Sequence, residues 1–318
     1  MPALDPATLR ATLQALAERL LGAAQLTAPQ VAEAAGVSLE QGRQLWQALG
    51  FAPVADDEPI FTPADVAMLR SARQLVEQGV SEPRVLLQMA RVIGQSLARV
   101  AAAEVESGSG TARQELLTLP LVEQLEAFLG YAWRRHLVAA AARQVAAAEA
   151  ATGGEMAVGF ADLAGFTALS RQIEPQELAA LVDRFEALAY DHIPLHGGRV
   201  VKMIGDEVMF AAADVAAGAA IALALARAQV ADLPPLRVGL AAGPVLAWEG
   251  DLFGPTVNLA SRLVDLARPN TALVSEAVAQ HLEGHAMFVV RRLPPVNLKG
   301  FGRERVYALR ARSGPPVE

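Results

Sequence analysis

Apolar positions in the first half of the chain recur at the spacing of a helix. From Leu9 to about Arg143 they return every three to four residues, which aligns them on one face of an α-helix. Separate long helices are predicted over 64–78, 82–106 and 121–149. The pattern therefore predicts an all-α N-terminal half.

Two shorter helices precede these, and their capping residues define them. Thr27 and Ser38 are favourable N-caps, and Gly36 supplies a turn between a helix that ends beside it and one that begins at Leu39. Two short helices joined by a glycine turn form a helix-turn-helix.

The residues in and around this helix-turn-helix bear on whether it binds DNA. With Trp46-Gln47-Ala48-Leu49-Gly50-Phe51 and Phe61-Thr62-Pro63-Ala64-Asp65-Val66, residues 26–69 resemble the winged helix-turn-helix of mercury-resistance-type transcription regulators. DNA docking would need basic side chains on the second helix, because phosphate contacts supply most of the affinity. That helix carries only Glu40 and Arg43 as charged residues. We expect protein contacts here and no DNA binding.

After Gly154 the pattern changes to strands that alternate with helices. A buried strand over 156–163 leads through a helix ending at Leu195 to a hairpin that turns at Gly205. One strand–helix–strand–strand–helix–strand repeat in a single domain predicts an α+β fold, a βαββαβ sheet layered with helices. The remaining predicted elements are a helix from Val215, a strand over 236–247, a helix from Pro255, a strand over 271–275 and final strands near Met287 and Val306.

Two glycine-containing breaks divide the chain of 318 residues. They are Ser107-Gly108-Ser109-Gly110 and Ala151-Thr152-Gly153-Gly154. We predict a helical domain over 1–120, a helical connector over 121–153 and an α+β domain over 154–318.

Composition and charge exclude several classes of protein. The net charge of −7 argues against a general affinity for nucleic acid or anionic lipid, and the absence of cysteine excludes disulfides and thiolate chemistry. The longest uncharged apolar run, 215–226, has 12 residues, whereas a bilayer span needs roughly 20. With no basic and apolar leader at the N-terminus, we expect a cytoplasmic protein without a membrane span.

Lysine is rare in this chain. Of 27 Lys and Arg residues, only Lys202 and Lys299 are lysine. This indicates two sites that need a compact ammonium rather than a planar guanidinium, although chance retention is the alternative.

Two aspartates are placed to hold cations. Asp162 ends the first predicted strand, before a loop at Gly165 that enters a helix, and Asp206 lies in the hairpin turn. A carboxylate beside the N–H groups of a helix N-terminus suits a magnesium-bound polyphosphate. Two carboxylates on adjacent strand ends are the minimum for holding two hard cations. By itself, Asp162 could equally cap the next helix.

A further polar pair lies on the helix that begins at Pro255. Asn258 and Arg262 are four residues apart, so they share a face and could reach one ligand. A solvated polar face explains the same spacing equally well.

Together these pieces resemble the class III nucleotide cyclases. The resemblance is carried by Asp162-Leu163-Ala164-Gly165-Phe166-Thr167, by Lys202-Met203-Ile204-Gly205-Asp206, and by Asp251 followed by Asn258 and Arg262, over about 155–309. It implies a ferredoxin-like core sheet and an adenylyl cyclase that converts ATP to 3′,5′-cyclic AMP and pyrophosphate. The reaction would be an in-line attack of the ribose 3′-oxygen on the α-phosphorus. The helical N-terminal domain would be regulatory.

The resemblance also implies the metal and purine sites. Asp162 and Asp206 match the family's ligands of two Mg²⁺ or Mn²⁺ ions. Lys202 and Asp251 match the pair that reads the adenine edge, where guanylyl cyclases carry Glu and Cys.

The other implied contacts are to the ribose and the phosphates. Asn258 would orient the ribose, and Arg262 would stabilise charge on the reacting phosphate. Phe166, Thr167 and Lys299 are expected to bind substrate. Because the family takes the purine pair and the metal pair of one site from opposite subunits, a head-to-tail homodimer with two composite sites is expected.

Two other functions remain open on the sequence. One is a catalytically weak nucleotide-binding sensor that controls a DNA- or protein-binding helix-turn-helix. The other is a diguanylate cyclase, because Ile204-Gly205-Asp206-Glu207-Val208 superficially resembles that family's Gly-Gly-Asp-Glu-Phe turn. Complete metal, purine and phosphate positions favour the adenylyl cyclase.

Overall fold

The computed structural model describes residues 6–107, 119–149 and 155–312. The chain divides into two compact units, Met1–Ala140 and Ala141–Glu318. The predicted breaks at 108–110 and 151–154 lie outside the described residues. The predicted domain boundaries stay a prediction.

The first unit is helical, as the periodicity predicts. Its long helices and its pair of short ones lie within a few residues of their predicted positions, and the unit boundary falls inside the last helix. The helices are α1 (Pro6–Leu21), α2 (Ala28–Ala35), α3 (Leu39–Ala48), α4 (Pro63–Glu77), α5 (Pro83–Ser107) and α6 (Leu119–Glu149).

Capping and a glycine turn define the α2–α3 pair. The Ser38 hydroxyl accepts a hydrogen bond from the Gln41 amide at 3.1 Å, and the Gln41 side chain accepts one from the Ser38 amide at 2.9 Å. Gly36 takes φ 72° between the helices, a conformation that favours glycine. The bounds of the two helices and the glycine turn agree with the prediction, while the helix-turn-helix assignment itself stays a prediction. Their use in protein contacts rather than DNA binding stays a prediction.

The helical unit has its own small core. Its buried side chains are Val31, Ala35, Leu45, Phe61, Val66, Leu69 and Ala90. Arg43 forms an ion pair with Asp56, so one of the two charged side chains on α3 is already engaged. None of the helices in the described ranges combines the length and apolar content that a bilayer crossing requires.

The second unit is built on a mixed sheet of seven strands in the order β2-β3-β1-β4-β7-β11-β8. Neighbouring strands are antiparallel except for the parallel pair β4 and β7. The first four strands form the predicted βαββαβ repeat. The seven strands are β1 (Glu155–Leu163), β2 (Arg199–Ile204), β3 (Glu207–Ala212), β4 (Leu236–Pro244), β7 (Thr271–Ser275), β8 (Phe288–Arg292) and β11 (Val306–Ala311).

Helices cover both faces of this sheet. The larger core packs against α8 and α9 and includes Phe185 and Phe210, and the smaller core packs against α10 and includes Phe160, Met209 and Val264. The face under α10 is the one that carries the polar residues described below. The helices are α7 (Phe166–Leu169), α8 (Pro175–Leu195), α9 (Val215–Arg227), α10 (Pro255–Leu266) and α11 (Glu276–His281).

The structure differs from the predicted pattern in its short elements. The strand predicted over 236–247 ends at Pro244, because proline has no amide hydrogen to continue the ladder. Two hairpins of three-residue strands were not predicted, because strands this short give no measurable alternation. They are β5 (Leu246–Trp248) with β6 (Asp251–Phe253), and β9 (Val296–Leu298) with β10 (Gly302–Glu304).

Candidate active site

Three charged residues form a row across three neighbouring strands. Asp162 on β1 is paired with Glu207 on β3 and, on its other side, with Arg237 on β4. Residues directly opposite each other on antiparallel strands point to the same face of a sheet. The row therefore lies on one face, and Phe160 and Met209, two residues away on their strands, place it on the face that α10 covers.

Asp162 is held by Arg237 and is deeply buried. The Asp162 residue is only 8% exposed. Arg237 donates two hydrogen bonds to the Oδ2 atom, one of them from Nε at 3.0 Å. The Oδ1 atom is also buried and has no hydrogen-bond partner. An unpartnered buried carboxylate oxygen is costly, and a bound cation would offset that cost.

Asp206 is brought to Asp162 by the hairpin turn. Gly205 takes φ 65° at the first turn position, and the Leu163 amide donates to the Asp206 carbonyl at 3.1 Å. Burial raises the pKa of Asp162, Arg237 opposes that rise, and the neighbouring Asp206 carboxylate adds to it. The two aspartates predicted as metal ligands therefore lie together.

Glu207 and Arg237 are residues that the sequence reasoning did not single out. Burial raises the pKa of Glu207 to about 7, and the carboxylate of Asp162 is the next largest cause. The signal for both residues was a charge beside or within a buried strand, in Glu207-Val208-Met209-Phe210 and Leu236-Arg237-Val238. Such a signal has no meaning until the strand register places the charges beside Asp162.

Lys202 and Asp251 are brought together from positions 49 residues apart. Lys202 on β2 and Asp251 on β6 form an ion pair through Nζ and Oδ2. The other carboxylate oxygen of Asp251 accepts a hydrogen bond from the Leu252 amide at 2.8 Å, which orients the carboxylate. Both side chains are partly exposed, so a ligand can reach them.

Helix α10 presents the other predicted polar pair. Gly239 allows the close approach of α10 to β4, because a Cβ atom there would lie 2.3 Å from the Val264 nitrogen. Asn258 and Arg262 are exposed on this helix. The guanidinium of Arg262 lies 3.5 Å from the Asp265 carboxylate. Within the described ranges, Arg262 forms no ion pair with Asp162 or Asp206.

The other residues predicted to bind substrate are Phe166 and Thr167 on α7 and Lys299 in the turn between β9 and β10. Phe166 packs against the larger core at the start of α7, and the neighbouring Thr167 is exposed. Gly165 caps this short helix with φ 80°. Lys299 is exposed in the turn between β9 and β10.

The donor set of the two aspartates fits a divalent cation. Carboxylate oxygens are the ligands that Mg²⁺ and Mn²⁺ prefer. No group of three or more Asp, Glu, His or Cys side chains in the described ranges is placed to hold a metal without other ligands. A site with two protein carboxylates suits Mg²⁺, which usually takes its other ligands from substrate phosphates and water.

Comparison with protein families identifies both halves of the chain. Residues 148–311 match the adenylate and guanylate cyclase catalytic domain, and residues 6–117 match the adenylate cyclase regulatory domain. The predicted resemblance to nucleotide cyclases and the predicted α+β catalytic fold are therefore confirmed.

Two curated relatives are similar to this chain over most of its length. An adenylate cyclase of Streptomyces coelicolor is 42% identical over 88% of this chain and 77% of its own length. One from Glutamicibacter nicotianae is 36% identical over 99% of this chain and 86% of its own length. The adenylyl cyclase CyaB from P. aeruginosa aligns with 52% of this chain and 97% of its own, with 22% identity and a TM-score of 0.43. The chain thus belongs to the adenylate cyclase family, with a cyclase catalytic domain that follows an adenylate cyclase regulatory domain.

Proposed function

We propose that this protein converts ATP to 3′,5′-cyclic AMP and pyrophosphate by in-line attack of the ribose 3′-oxygen on the α-phosphorus. The observation that carries the proposal is the contact between Lys202 and Asp251, which offers one donor and one acceptor to a purine edge. The test is cyclic AMP formation from ATP by the purified full-length protein with Mg²⁺ or Mn²⁺. Absence of product with both metals would overturn the proposal.

Asp162 and Asp206 hold two Mg²⁺ or Mn²⁺ ions in this proposal. The ions, when bound, lower the pKa of the 3′-hydroxyl and neutralise charge on the triphosphate. Arg237 supports the site by holding the Oδ2 atom of Asp162, which leaves the buried Oδ1 atom for a cation. Phe166, Thr167 and Lys299 are proposed to contact the nucleotide.

Lys202 and Asp251 read the adenine. The ammonium donates to an acceptor nitrogen of the ring, and the carboxylate accepts from the exocyclic amino group. Before ATP binds, each side chain satisfies the other. A partly exposed ion pair contributes only about 0–1 kcal/mol, so adenine can replace it at low cost.

Exchanging the purine pair is expected to weaken the use of ATP. In Lys202→Glu with Asp251→Cys the donor and acceptor positions facing the base are inverted, so we expect kcat/KM for ATP to fall about tenfold or more. Competition between ATP and GTP measures the change. Arg305→Glu with Glu276→Cys removes another exposed ion pair of this unit and serves as the matched control. An unchanged preference for ATP would show that Lys202 and Asp251 do not read the base.

The proposed active enzyme is a head-to-tail homodimer with two composite sites. Asn258 orients the ribose and Arg262 stabilises charge on the reacting phosphate, in a site whose metals are held by the other copy. The exposure of the Arg262 side chain beside Asp265 supports this role, because a second chain can reach it. The exposed apolar side chains Leu246, Trp248 and Phe253 on the β5–β6 hairpin support an interface beside Asp251.

Removal of the regulatory half is expected to change activity severalfold. Helix α6 (Leu119–Glu149) precedes the catalytic domain in the chain. A bias of a few kcal/mol between dimer arrangements is enough for such a change. We expect a chain that begins at Glu149 to be more active than the full-length protein. Cyclic AMP formation per folded dimer, with dimer content determined by light scattering, provides the measurement. Equal activities would contradict regulation through this half.

A further inference from the structure

We propose that Glu207 sets the cation affinity of the Asp162–Asp206 site by its charge, without being a metal ligand. The inference rests on the proposed metal-dependent function and deepens it. It assigns a role to a residue that adjoins the two predicted ligands on the same face of the sheet.

The strand register places Glu207 directly beside Asp162. The two residues are Cα partners on antiparallel strands, and such partners have Cβ atoms about 5 Å apart on one face. Arg237 occupies the equivalent position on the other side of Asp162. Across the three strands, the row therefore runs from the Glu207 carboxylate through the Asp162 carboxylate to the Arg237 guanidinium.

This order of charges is unfavourable without a cation. Like charges directly opposite each other destabilise a sheet. The burial of Asp162 and the partial burial of Glu207 strengthen their repulsion. Arg237 donates its hydrogen bonds to Asp162, and the Oδ1 atom of Asp162 stays buried without a partner. Burial, and after it the neighbouring carboxylates, raise the pKa values of Asp162 and Glu207. When a bound cation favours the ionised forms, Asp162, Asp206 and Glu207 carry three negative charges against the one positive charge of Arg237.

The charge balance of this cluster favours a divalent ion. The excess of two negative charges equals the charge of one Mg²⁺ or Mn²⁺ ion. The negative charge of Asp265 also acts on Glu207. Asp265 lies within ion-pair distance of Arg262, so Asp265 and Arg262 together add little net charge to the cluster. With the charge of Glu207 included, the net charge of the cluster therefore neutralises one divalent cation.

Glu207 is proposed to act on the cation through its charge, from a position next to the two aspartates. No three acidic or histidine side chains in the described part of the chain are arranged as a metal-binding group, and the proposed direct ligands are the two aspartates alone. Groups that contact or face metal ligands typically change metal affinity by about 10–100-fold when they are replaced. A Glu207→Gln substitution keeps the size of the side chain and removes its charge, so it isolates this effect.

The test measures cation binding by the full-length protein without nucleotide. Calorimetric titration with Mn²⁺ gives the affinity, and thermal unfolding in chelator and in Mn²⁺ gives the stability of each state. In Glu207→Gln we expect Mn²⁺ affinity about tenfold lower. We also expect a Tm in chelator about 2–4 °C higher, because the repulsion has been removed.

Two matched variants separate charge from structure. Glu207→Asp keeps the charge, and we expect it to restore most of the Mn²⁺ affinity. Glu155→Gln removes an exposed carboxylate at the far end of β1, and we expect it to leave both the affinity and the Tm at wild-type values.

The outcomes distinguish this inference from the proposed function. Wild-type Mn²⁺ affinity in Glu207→Gln, with weakened affinity in Asp206→Asn, would overturn the role of Glu207 and leave the metal site intact. Unchanged affinity in both variants would overturn the metal site as well. Equal losses of Tm in chelator and in Mn²⁺ for Glu207→Gln would indicate a packing role and also overturn the inference.

Discussion

Cyclic AMP formation is expected to fall at least about a hundredfold, equivalent to about 2.7 kcal/mol of barrier, when Asp206 is replaced by alanine. The residue lies in a hairpin turn beside the buried Asp162, in a site with few alternative ligands. We expect an equal loss for Asp162→Asn, which keeps a hydrogen-bond acceptor for Arg237. We prefer it to Asp162→Ala, which would leave the Arg237 guanidinium without any acceptor at this position.

Activity and folding have to be measured together for these two variants. Circular dichroism and thermal unfolding in chelator test whether the sheet is retained. Asp183→Ala removes an exposed carboxylate from α8, away from the metal aspartates in sequence, and we expect near wild-type activity from it. Turnover above a tenth of the wild-type value in folded Asp206→Ala or Asp162→Asn would contradict the metal assignment.

Mixing two inactive variants is expected to restore activity. Asp206→Ala removes a metal ligand, and Arg262→Ala removes the guanidinium that the proposed dimer delivers to the other copy's metals. In a heterodimer both lesions fall in one composite site, and the second site is complete. Random association of equal amounts makes half of the dimers mixed, so roughly one quarter of the wild-type activity should return.

A second mixture provides the control for this complementation. Asp206→Ala and Asp162→Asn affect the same half of each site, so no arrangement of the two chains makes a complete site. We expect no recovery from this pair. Differently tagged chains would establish how much heterodimer forms in each mixture. Failure of Asp206→Ala with Arg262→Ala to recover, despite abundant heterodimer, would rule out shared sites.

The local pattern of the sequence was sufficient for the long elements of the fold. Periodicity alone predicts the helices of the first unit, because a helix that buries one face must repeat its apolar positions every three to four residues. Capping residues such as Ser38 and the glycine at Gly36 locate the short pair. The βαββαβ order follows equally from the alternation of strands and helices after Gly154.

The sequence also determined which residue types stand at the cyclase positions. Asp162, Asp206, Lys202 and Asp251 could be selected because a family motif preserves their order and spacing. Their chemistry as hard cation ligands and as a donor and acceptor pair depends only on side-chain type. The resemblance implies that Lys202 and Asp251 act on one base, but the hydrophobic pattern could not show their direct ion pair. That contact requires the short β5–β6 hairpin, which the pattern does not predict.

Only the tertiary structure decided which charges face one another. Glu207 and Arg237 are separated by 30 positions along the chain and become the two flanks of Asp162 through the register of β3, β1 and β4. The burial of the unpartnered Oδ1 atom of Asp162 is likewise a property of the folded domain. Electrostatic interactions depend on distance and burial rather than on order along the chain, and for this reason the charge balance of the site could not be derived before the strands were paired.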